Sequence, residues 1–249
     1  CKKMNQKKIK RIGLITRDCA GINAAIRAVV RTAISSDIEV FGIYRGSEGL
    51  INGDIEQLFR RSVSGIINIG GTVLKTARSK RFRTEEGQQQ ALGTIRENSL
   101  DGLVVIGGNG SLSGAHLLWD KYNIPVVGVP ATIDNDVNGV PQSIGADTAV
   151  NVALDALDKI RDTSTSLERI FVVEVMGRDC GYIALRVALA GGCEDVIIPE
   201  KDYDIQAMSD EIAEGHVRGK ISWIIIVAEG KAKGHEGQGH PRSGQFPDS

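Results

Sequence analysis

Short apolar runs alternate with stretches of helical period along most of this chain, and this alternation constrains the fold more than any other feature. Residues 9–15 and 39–44 have the apolar character of strands, and residues 23–31 between them have helical period. Two parallel strands joined by a helix form a β-α-β unit, whose crossover is right-handed. The start of the chain therefore predicts a parallel sheet.

The same pattern continues towards residue 227. Further strands are predicted over 103–106, 125–129, 170–175, 196–198 and 223–227, and further helices over 145–161 and 179–190. Continuous apolar runs are typical of strands that are covered on both faces. The predicted fold class is α/β and doubly wound, with mostly parallel sheets and helices on both faces.

Composition and charge exclude several classes of protein. With 249 residues and 41% hydrophobic residues, the chain can bury a substantial core. A net charge of −1 argues against a nucleic-acid partner, and no apolar run is long enough to span a membrane. The basic start lacks an apolar stretch, so no secretory signal is expected, and a first residue of Cys suggests a fragment or a processed chain. The four cysteines form no C-x-x-C pair, which favours a cytoplasmic protein with reduced thiols.

Four polar or glycine-rich loops follow predicted strands, at residues 16–21, 107–111, 130–136 and 176–178. In open α/β sheets, ligands bind at the carboxyl ends of the strands. We therefore expect these loops to share one cleft.

The loop Gly107-Gly108-Asn109-Gly110-Ser111 gives the sharpest phosphate signal. Glycines let backbone N–H groups approach phosphate oxygens, and a helix N-terminus behind them favours negative charge. A tight strand-to-helix turn without a ligand, with Ser111 as its N-cap, is the alternative.

Asp134 and Asp136 lie two residues apart in the loop after a buried strand. One carboxylate could accept the proton of an attacking hydroxyl while the other helps to hold Mg²⁺, a division of labour that suits phosphoryl transfer. The alternative is a pair of Asx turns, because Asp and Asn favour turns.

Several other charged residues are candidates for contacts with anions or sugars. Arg78 and Arg83 lie in a basic segment that could contact phosphates or form a solvated face. Arg178 follows a glycine at a strand end, Arg169 precedes the same strand, and Glu229 ends the last apolar strand. Each could instead be an ordinary surface residue.

Five motifs together resemble the 6-phosphofructokinase family. They are Gly21-Ile22-Asn23-Ala24-Ala25-Ile26-Arg27, the 107–111 loop, Pro130-Ala131-Thr132-Ile133-Asp134-Asn135-Asp136, Val173-Glu174-Val175-Met176-Gly177-Arg178 and Ala190-Gly191-Gly192-Cys193-Glu194. Their order and spacing match the family over roughly residues 9 to 229. The resemblance implies transfer of the γ-phosphoryl group of ATP to the 1-hydroxyl of fructose 6-phosphate, a step of glycolysis.

The resemblance also implies an organisation. Two similar subdomains would hold the active site between them: a nucleotide subdomain over 1–145 and a partial sugar-phosphate subdomain over 146–229. Residues 230–249 are expected to form a flexible tail. The family is usually a homotetramer, so a homo-oligomer is implied.

Roles for individual residues follow from the resemblance. Asp134 would be the catalytic base, Arg178 would stabilise the transferring phosphoryl group, and Thr132 would position it. The residues implied to contact the sugar phosphate are Thr132, Ile133, Asp134, Asp136, Arg169, Met176, Gly177, Arg178 and Glu229, with Arg169 reaching an adjacent subunit. Those implied to contact the nucleotide are Arg78, Ser79, Gly108, Asn109, Gly110 and Ser111. Asn109 and Asp136 would contact Mg²⁺.

Small neutral residues at Gly110 and Ala131 favour ATP as the phosphoryl donor. Family members that use pyrophosphate typically carry an acidic residue and a lysine at these positions. A carboxylate at 110 would repel and crowd the α-phosphate of a nucleotide.

The chain departs from the family pattern in three places. A shorter turn, Thr16-Arg17-Asp18, replaces a Ser-Gly-Gly-Asp turn, so a side chain stands where backbone should approach phosphates. Asn109 replaces an Asp that contacts magnesium, which predicts weaker metal binding. The family also continues well beyond residue 229.

The alternatives are therefore a catalytically impaired or regulatory subunit of the same fold and a pyrophosphate-dependent enzyme. A dinucleotide-binding domain would need a G-x-G-x-x-G motif, which is missing after the first strand.

Overall fold

The computed structural model describes residues 8–232, which fold into two compact units. Of these residues, the first unit contains 8–132 and 137–145, and the second contains 133–136 and 146–232. The chain thus leaves the first unit after Thr132, contributes four residues to the second unit and returns. It crosses for the last time between Gly145 and Ala146.

The first unit is built on a six-stranded sheet. Its strands are β1 (Arg11–Thr16), β2 (Glu39–Ile43), β3 (Ile55–Leu58), β4 (Gly102–Gly107), β5 (Val126–Thr132) and β6 (Ile144–Gly145). Its helices are α1 (Ile22–Ser35), α2 (Ser47–Asn52), α3 (Glu85–Glu97) and α4 (Asn109–Tyr122), with a 3-10 turn at Arg81–Arg83. The strand order is β3-β2-β1-β4-β5-β6, and every pair is parallel except β2 with β3. The connections run in opposite directions from β1 and β4, so the crevice at their carboxyl ends is the expected ligand site.

Apolar side chains cover both faces of this sheet. Leu14 belongs to a buried cluster that includes Ile22 and Ile26 of α1. The next residue, Ile15, points to the other face, where it joins residues of α3 and α4 such as Ile95. Helices on both faces confirm the doubly wound α/β class.

The second unit repeats this architecture on a smaller sheet. Its strands are β7 (Ile170–Val175), β8 (Asp195–Ile197) and β9 (Trp223–Ala228), and its helices are α5 (Ala146–Leu167), α6 (Tyr182–Gly191), α7 (Ile205–Val217) and α8 (Glu229–Ala232). The order is β7-β9-β8, and all pairs are parallel. Every residue of the central strand β9 is buried. Val175 pairs with Ala228, so the carboxyl ends of β7 and β9 lie side by side.

Element boundaries differ from the sequence predictions at several points. The helix predicted over 145–161 extends to Leu167, and the helix predicted from residue 179 begins at Tyr182 because a turn occupies the preceding residues. The helices α2, α3, α7 and α8 and the strands β3 and β6 are additions to the predicted set. Of the tail predicted over 230–249, residues 230–232 belong to α8, and residues 233–249 lie outside the described part of the chain. Within residues 8–232, no helix has both the length and the apolar character needed to cross a membrane.

Candidate active site

In the first unit, the ends of β1 and β4 are joined closely. The backbone N–H of Arg17 donates to the carbonyl of Ile106 at 2.9 Å, so the ladder continues one residue beyond β1. A Cβ built on Gly107 would lie 2.8 Å from the Ser111 side chain and 2.9 Å from Cγ of Arg17. Glycine at 107 is therefore required by close packing.

The N-terminus of α4 forms the phosphate-type loop that the glycines predict. The N–H groups of Ser111 and Leu112 donate to the carbonyl of Gly108 at 3.0 and 3.1 Å. Gly108 is the N-cap residue and makes no side-chain cap bond. The reading of Ser111 as the N-cap is therefore wrong, because Ser111 already lies inside the helix. A Cβ built on Gly110 would meet no atom within 4 Å, so the side of the loop at this residue is open.

The basic segment divides into a structural part and an exposed part. Arg81 forms an ion pair with Glu48 at 2.8 Å and also bonds Asn52 and Gln90. Arg78 is exposed, and the hydroxyl of Ser79 accepts a bond from the N–H of Phe82 at 3.1 Å. Arg81 therefore anchors this segment, whereas Arg78 remains the candidate for an anion contact.

In the second unit, Asp134 is a buried carboxylate with a cationic neighbour. Only 6% of Asp134 is exposed, and Nε of Arg178 lies 3.8 Å from its Oδ2. Burial raises the pKa of Asp134, Arg178 acts in the opposite direction, and the charges of Asp136, Glu229 and Asp179 add to the increase. Because Arg178 is largely exposed and the separation is long, solvent screens its attraction, and burial determines the direction of the shift. A carboxylate with a raised pKa and a nearby cation has the properties of a general base.

A strained turn after β7 holds Arg178 in place. Gly177 has a φ of +144°, and Arg178 itself has a φ of +52°, in the left-handed region. The N–H of Cys180 donates to the carbonyl of Gly177 at 2.9 Å, and a Cβ on Gly177 would lie 2.5 Å from the carbonyl oxygen of Cys180. Backbone in such sparsely populated regions is often found at functional sites.

Glu229, the first residue of α8 directly after β9, supports the same turn. Its Oε2 accepts a bond from the N–H of Arg178 at 3.4 Å, which the parallel pairing of β7 with β9 makes possible. An open groove beside it is lined by Glu174, Val175, Met176 and Glu229. Met176 is 64% exposed, so its side chain is accessible from this groove. The structure therefore brings Asp134, Met176, Gly177, Arg178 and Glu229 to one edge of the second sheet.

Arg169 is not part of this group. It precedes β7, whereas Arg178 follows the same strand, and a strand of six residues separates them by about 17 Å. The carbonyl of Arg169 accepts bonds from Ser164 and Trp223, and its side chain is exposed. The two arginines therefore flank β7 at its opposite ends. A contact from a neighbouring subunit is the arrangement that the resemblance implied.

Mg²⁺ needs few protein ligands. Asn109 begins α4 in the first unit, and Asp136 is exposed two residues after Asp134 in the second. No three His, Cys, Asp or Glu side chains among residues 8–232 form a group that could hold a metal ion. Mg²⁺ commonly takes one or two protein oxygens and completes its shell with water and substrate phosphates, so the side-chain oxygen of either residue by itself fits it chemically.

Sequence reasoning assigned no role to two residues that the structure singles out. Asp179 contributes a negative charge close to Asp134, and its position directly after Arg178 was the available signal. Asn23 is 1% exposed, donates to the carbonyl of Ile69 at 2.8 Å and accepts from the N–H of Val73 at 2.9 Å. An amide among the apolar residues of a helix was the signal for this second residue.

The second unit holds a buried carboxylate beside an arginine, and the first holds a helix N-terminus preceded by glycines. The chain is a phosphotransferase of the α/β class. The family model described as Phosphofructokinase matches residues 11–245. The chain belongs to the phosphofructokinase family.

Named relatives support the ATP-dependent type. The chain is 53% identical over 230 residues to the ATP-dependent 6-phosphofructokinase of Natranaerobius thermophilus, covering 92% of this chain and 72% of that protein. The ATP-dependent 6-phosphofructokinase of Bacillus subtilis is similar to the same extent: 53% identity, 92% of this chain and 72% of that protein. The solved structure of phosphofructokinase from Saccharomyces cerevisiae is 38% identical with a TM-score of 0.81, over 89% of this chain and 34% of that chain. The chain thus spans about a third of the yeast chain's length.

Proposed function

We propose that this chain transfers the γ-phosphoryl group of ATP to the 1-hydroxyl of fructose 6-phosphate, giving fructose 1,6-bisphosphate in glycolysis. The observation that carries the proposal is the buried Asp134 carboxylate with the Arg178 guanidinium 3.8 Å away. The names of the relatives at 53% identity point to the same reaction.

Asp134 is the base in this mechanism. Burial raises the pKa of Asp134, which makes its carboxylate a better proton acceptor for the sugar 1-hydroxyl. Arg178 stabilises the charge on the transferring phosphoryl group, and Thr132, at the end of β5, positions it. Mg²⁺, with Asn109 and Asp136 as the proposed ligands, would neutralise donor phosphate charge when bound.

The remaining residues bind the two substrates. In the second unit, the sugar would contact Ile133, Met176, Gly177 and Glu229. Of these, Met176 and Glu229 line the groove at the end of β7. In the first unit, the α4 N-terminus would receive donor phosphates on backbone N–H groups. The proposed nucleotide contacts are Arg78, Ser79, Gly108, Asn109, Gly110 and Ser111.

ATP is the proposed donor. The open side of Gly110 leaves space that a longer donor needs, and Ala131 is small and buried. We also propose a homo-oligomer, because the exposed Arg169 is remote from Arg178 and would serve a neighbouring subunit. A cytoplasmic location is proposed from the relatives' activity.

A regulatory or impaired subunit is the second candidate. Arg17 places its side chain against Gly107, and Asn109 offers an uncharged oxygen to Mg²⁺. Both features belong to the loops proposed to bind ATP and Mg²⁺. The residues proposed to bind the sugar phosphate are not affected by them.

A direct assay separates the two candidates. The purified chain is incubated with ATP, Mg²⁺ and fructose 6-phosphate, and the product is identified by ³¹P NMR, with parallel reactions that omit the sugar or replace ATP with pyrophosphate. We expect fructose 1,6-bisphosphate from ATP alone. Binding of both substrates without product at high protein concentration would favour the regulatory subunit, and product from pyrophosphate alone would overturn the choice of donor.

A further inference from the structure

Arg17 connects three parts of the first unit. Its N–H extends the β1–β4 ladder through Ile106, and its Cγ lies against Gly107. Its Nη1 donates to the carbonyl of Ala77 at 2.8 Å and to the hydroxyl of Thr76 at 3.2 Å. The guanidinium therefore ties residues 76–77 to the end of the sheet.

The segment over 72–79 depends on such ties because it contains neither helix nor strand. Its first half is held by Thr16, whose buried hydroxyl is 2.9 Å from that of Thr72, and by the N–H of Arg45, which donates to Leu74. Beyond the turn in which the N–H of Lys75 donates to the carbonyl of Thr72, Arg17 bonds Thr76 and Ala77, directly before Arg78, and the Ser79 side chain bonds Glu48. Irregular backbone with few tertiary bonds opens at low free energy, so one charged hydrogen-bond donor has a large effect there.

We infer that Arg17 is a positioning residue for ATP, which clamps residues 76–77 so that Arg78 and Ser79 are held ready for the nucleotide. The inference rests on the proposed function, since it takes Arg78 and Ser79 as donor contacts. Arg17 stands where the family usually has a glycine-rich turn, and this inference gives its side chain a function. Its Cγ packs against Gly107, and its guanidinium orders residues 76–77.

The first test compares Arg17→Ala with Arg11→Ala. Arg11 lies at the other end of β1, where it forms an ion pair with Glu39 at 2.6 Å, so it controls for the loss of an arginine from the same strand. We expect Arg17→Ala to raise KM for ATP roughly tenfold, which corresponds to about 1.4 kcal/mol. KM for fructose 6-phosphate and kcat should stay within about twofold, and Arg17→Lys should recover part of the loss. An unchanged KM for ATP in Arg17→Ala would overturn the inference.

The second test separates positioning from direct contact with phosphate. Thr76→Val removes one acceptor of Arg17 and leaves its charge unchanged. Positioning predicts a smaller rise in KM for ATP in Thr76→Val and no further rise when it is combined with Arg17→Ala. If Thr76→Val behaves as the unmodified chain while Arg17→Ala binds ATP weakly, Arg17 contacts the nucleotide itself, and positioning is wrong.

The third readout does not require turnover. Trypsin cleavage after Arg78 and Lys80, followed by mass spectrometry in the absence of ATP, should be several-fold faster in Arg17→Ala than in Arg11→Ala. Equal cleavage rates would contradict the clamp even in an active enzyme. If the unmodified chain shows no turnover, the proposed function fails, while this readout and calorimetric titration with ATP still test Arg17.

Discussion

Nε of Arg178 lies 3.8 Å from Oδ2 of Asp134, although the two residues belong to different segments of the second unit. Asp134 enters this unit on a loop that Ile133 anchors in the apolar core, and Arg178 is held by the turn after β7. The proposed base and the proposed phosphoryl-stabilising cation thus belong to the same folded unit. Changes at either residue should affect the chemical step more than substrate binding.

Asp134→Asn should lower kcat by about 10²–10⁴-fold, because a positioned base is lost while the shape of the side chain is kept. The KM values should change much less. Asp155→Asn, at an exposed residue of α5 that pairs with Lys159, removes a carboxylate that is not among the proposed site residues and should leave kcat unchanged. Steady-state kinetics of both variants provide the measurement, and near-normal turnover in Asp134→Asn would remove its assignment as the base.

The same substitution should stabilise the fold at neutral pH. Burial raises the pKa of Asp134, so the folded chain holds this proton more tightly than the unfolded chain does. The free energy of unfolding therefore falls as pH rises through the raised pKa, and Asn avoids that loss. The stability gained by Asp134→Asn should be present at pH 7 and vanish below the ordinary Asp value of 3.8, as urea denaturation at several pH values can show.

Asp179→Asn should shift the acid limb of the pH profile of kcat/KM. Activity requires ionised Asp134, so kcat/KM falls as pH drops through its raised pKa. Asp179→Asn removes a negative charge that contributes to this increase, and the acid limb should move to lower pH. Asp155→Asn is again the control, and a limb that moves equally in both variants would mean that net charge, not proximity, is responsible.

The loops of the site could be predicted because the strands before them are apolar runs with clear ends. Residues 103–106 end before the 107–111 loop, and the burial of β4 agrees with that reading. The helices α3 and α7 gave weaker signals: α3 is rich in glutamine and opens with two glutamates, and Gly215 is the one residue of α7 that is buried. The positions of these two helices depend on tertiary packing, which the hydrophobic periodicity of the sequence does not reveal.

The long-range contacts of the site could not be predicted from local pattern. The Arg17–Ala77 bond spans 60 residues, and the bond between Arg178 and Glu229 spans 51. The second depends on the register of β7 against β9, which only the folded sheet defines. The assignment of residues 133–136 to the second unit is of the same kind, since the sequence runs on without a break from β5.

Gly177→Ala should disrupt the turn that holds Arg178. The added Cβ would lie 2.5 Å from the carbonyl oxygen of Cys180, and φ is +144°, which only glycine adopts easily. We expect a loss of about 1–3 kcal/mol in the free energy of unfolding and a fall in kcat.

Gly192→Ala is the matched control for this prediction. Gly192 lies in the same unit with a φ of +59°, and its Cβ would meet no atom within 4 Å. It should lose about 1 kcal/mol through backbone strain alone and keep its turnover. Equal losses of kcat in the two variants would show that the turn does not position Arg178.

Asn109→Asp should lower the concentration of Mg²⁺ that activity requires. Asn109 begins α4, and a carboxylate there offers Mg²⁺ a charged oxygen in place of an amide oxygen. If Asn109 is a ligand, the concentration of Mg²⁺ that gives half-maximal rate should fall by about tenfold, because ligand charge tunes affinity. Asn123→Asp changes the net charge equally at the other end of the same helix and should leave this concentration unchanged.

The helix dipole favours Asn109→Asp and disfavours Asn123→Asp by about 0.3–1 kcal/mol each, so thermal unfolding should separate the two variants as well. A Mg²⁺ requirement that is the same in both would remove Asn109 from the metal site and leave Asp136 as its proposed ligand.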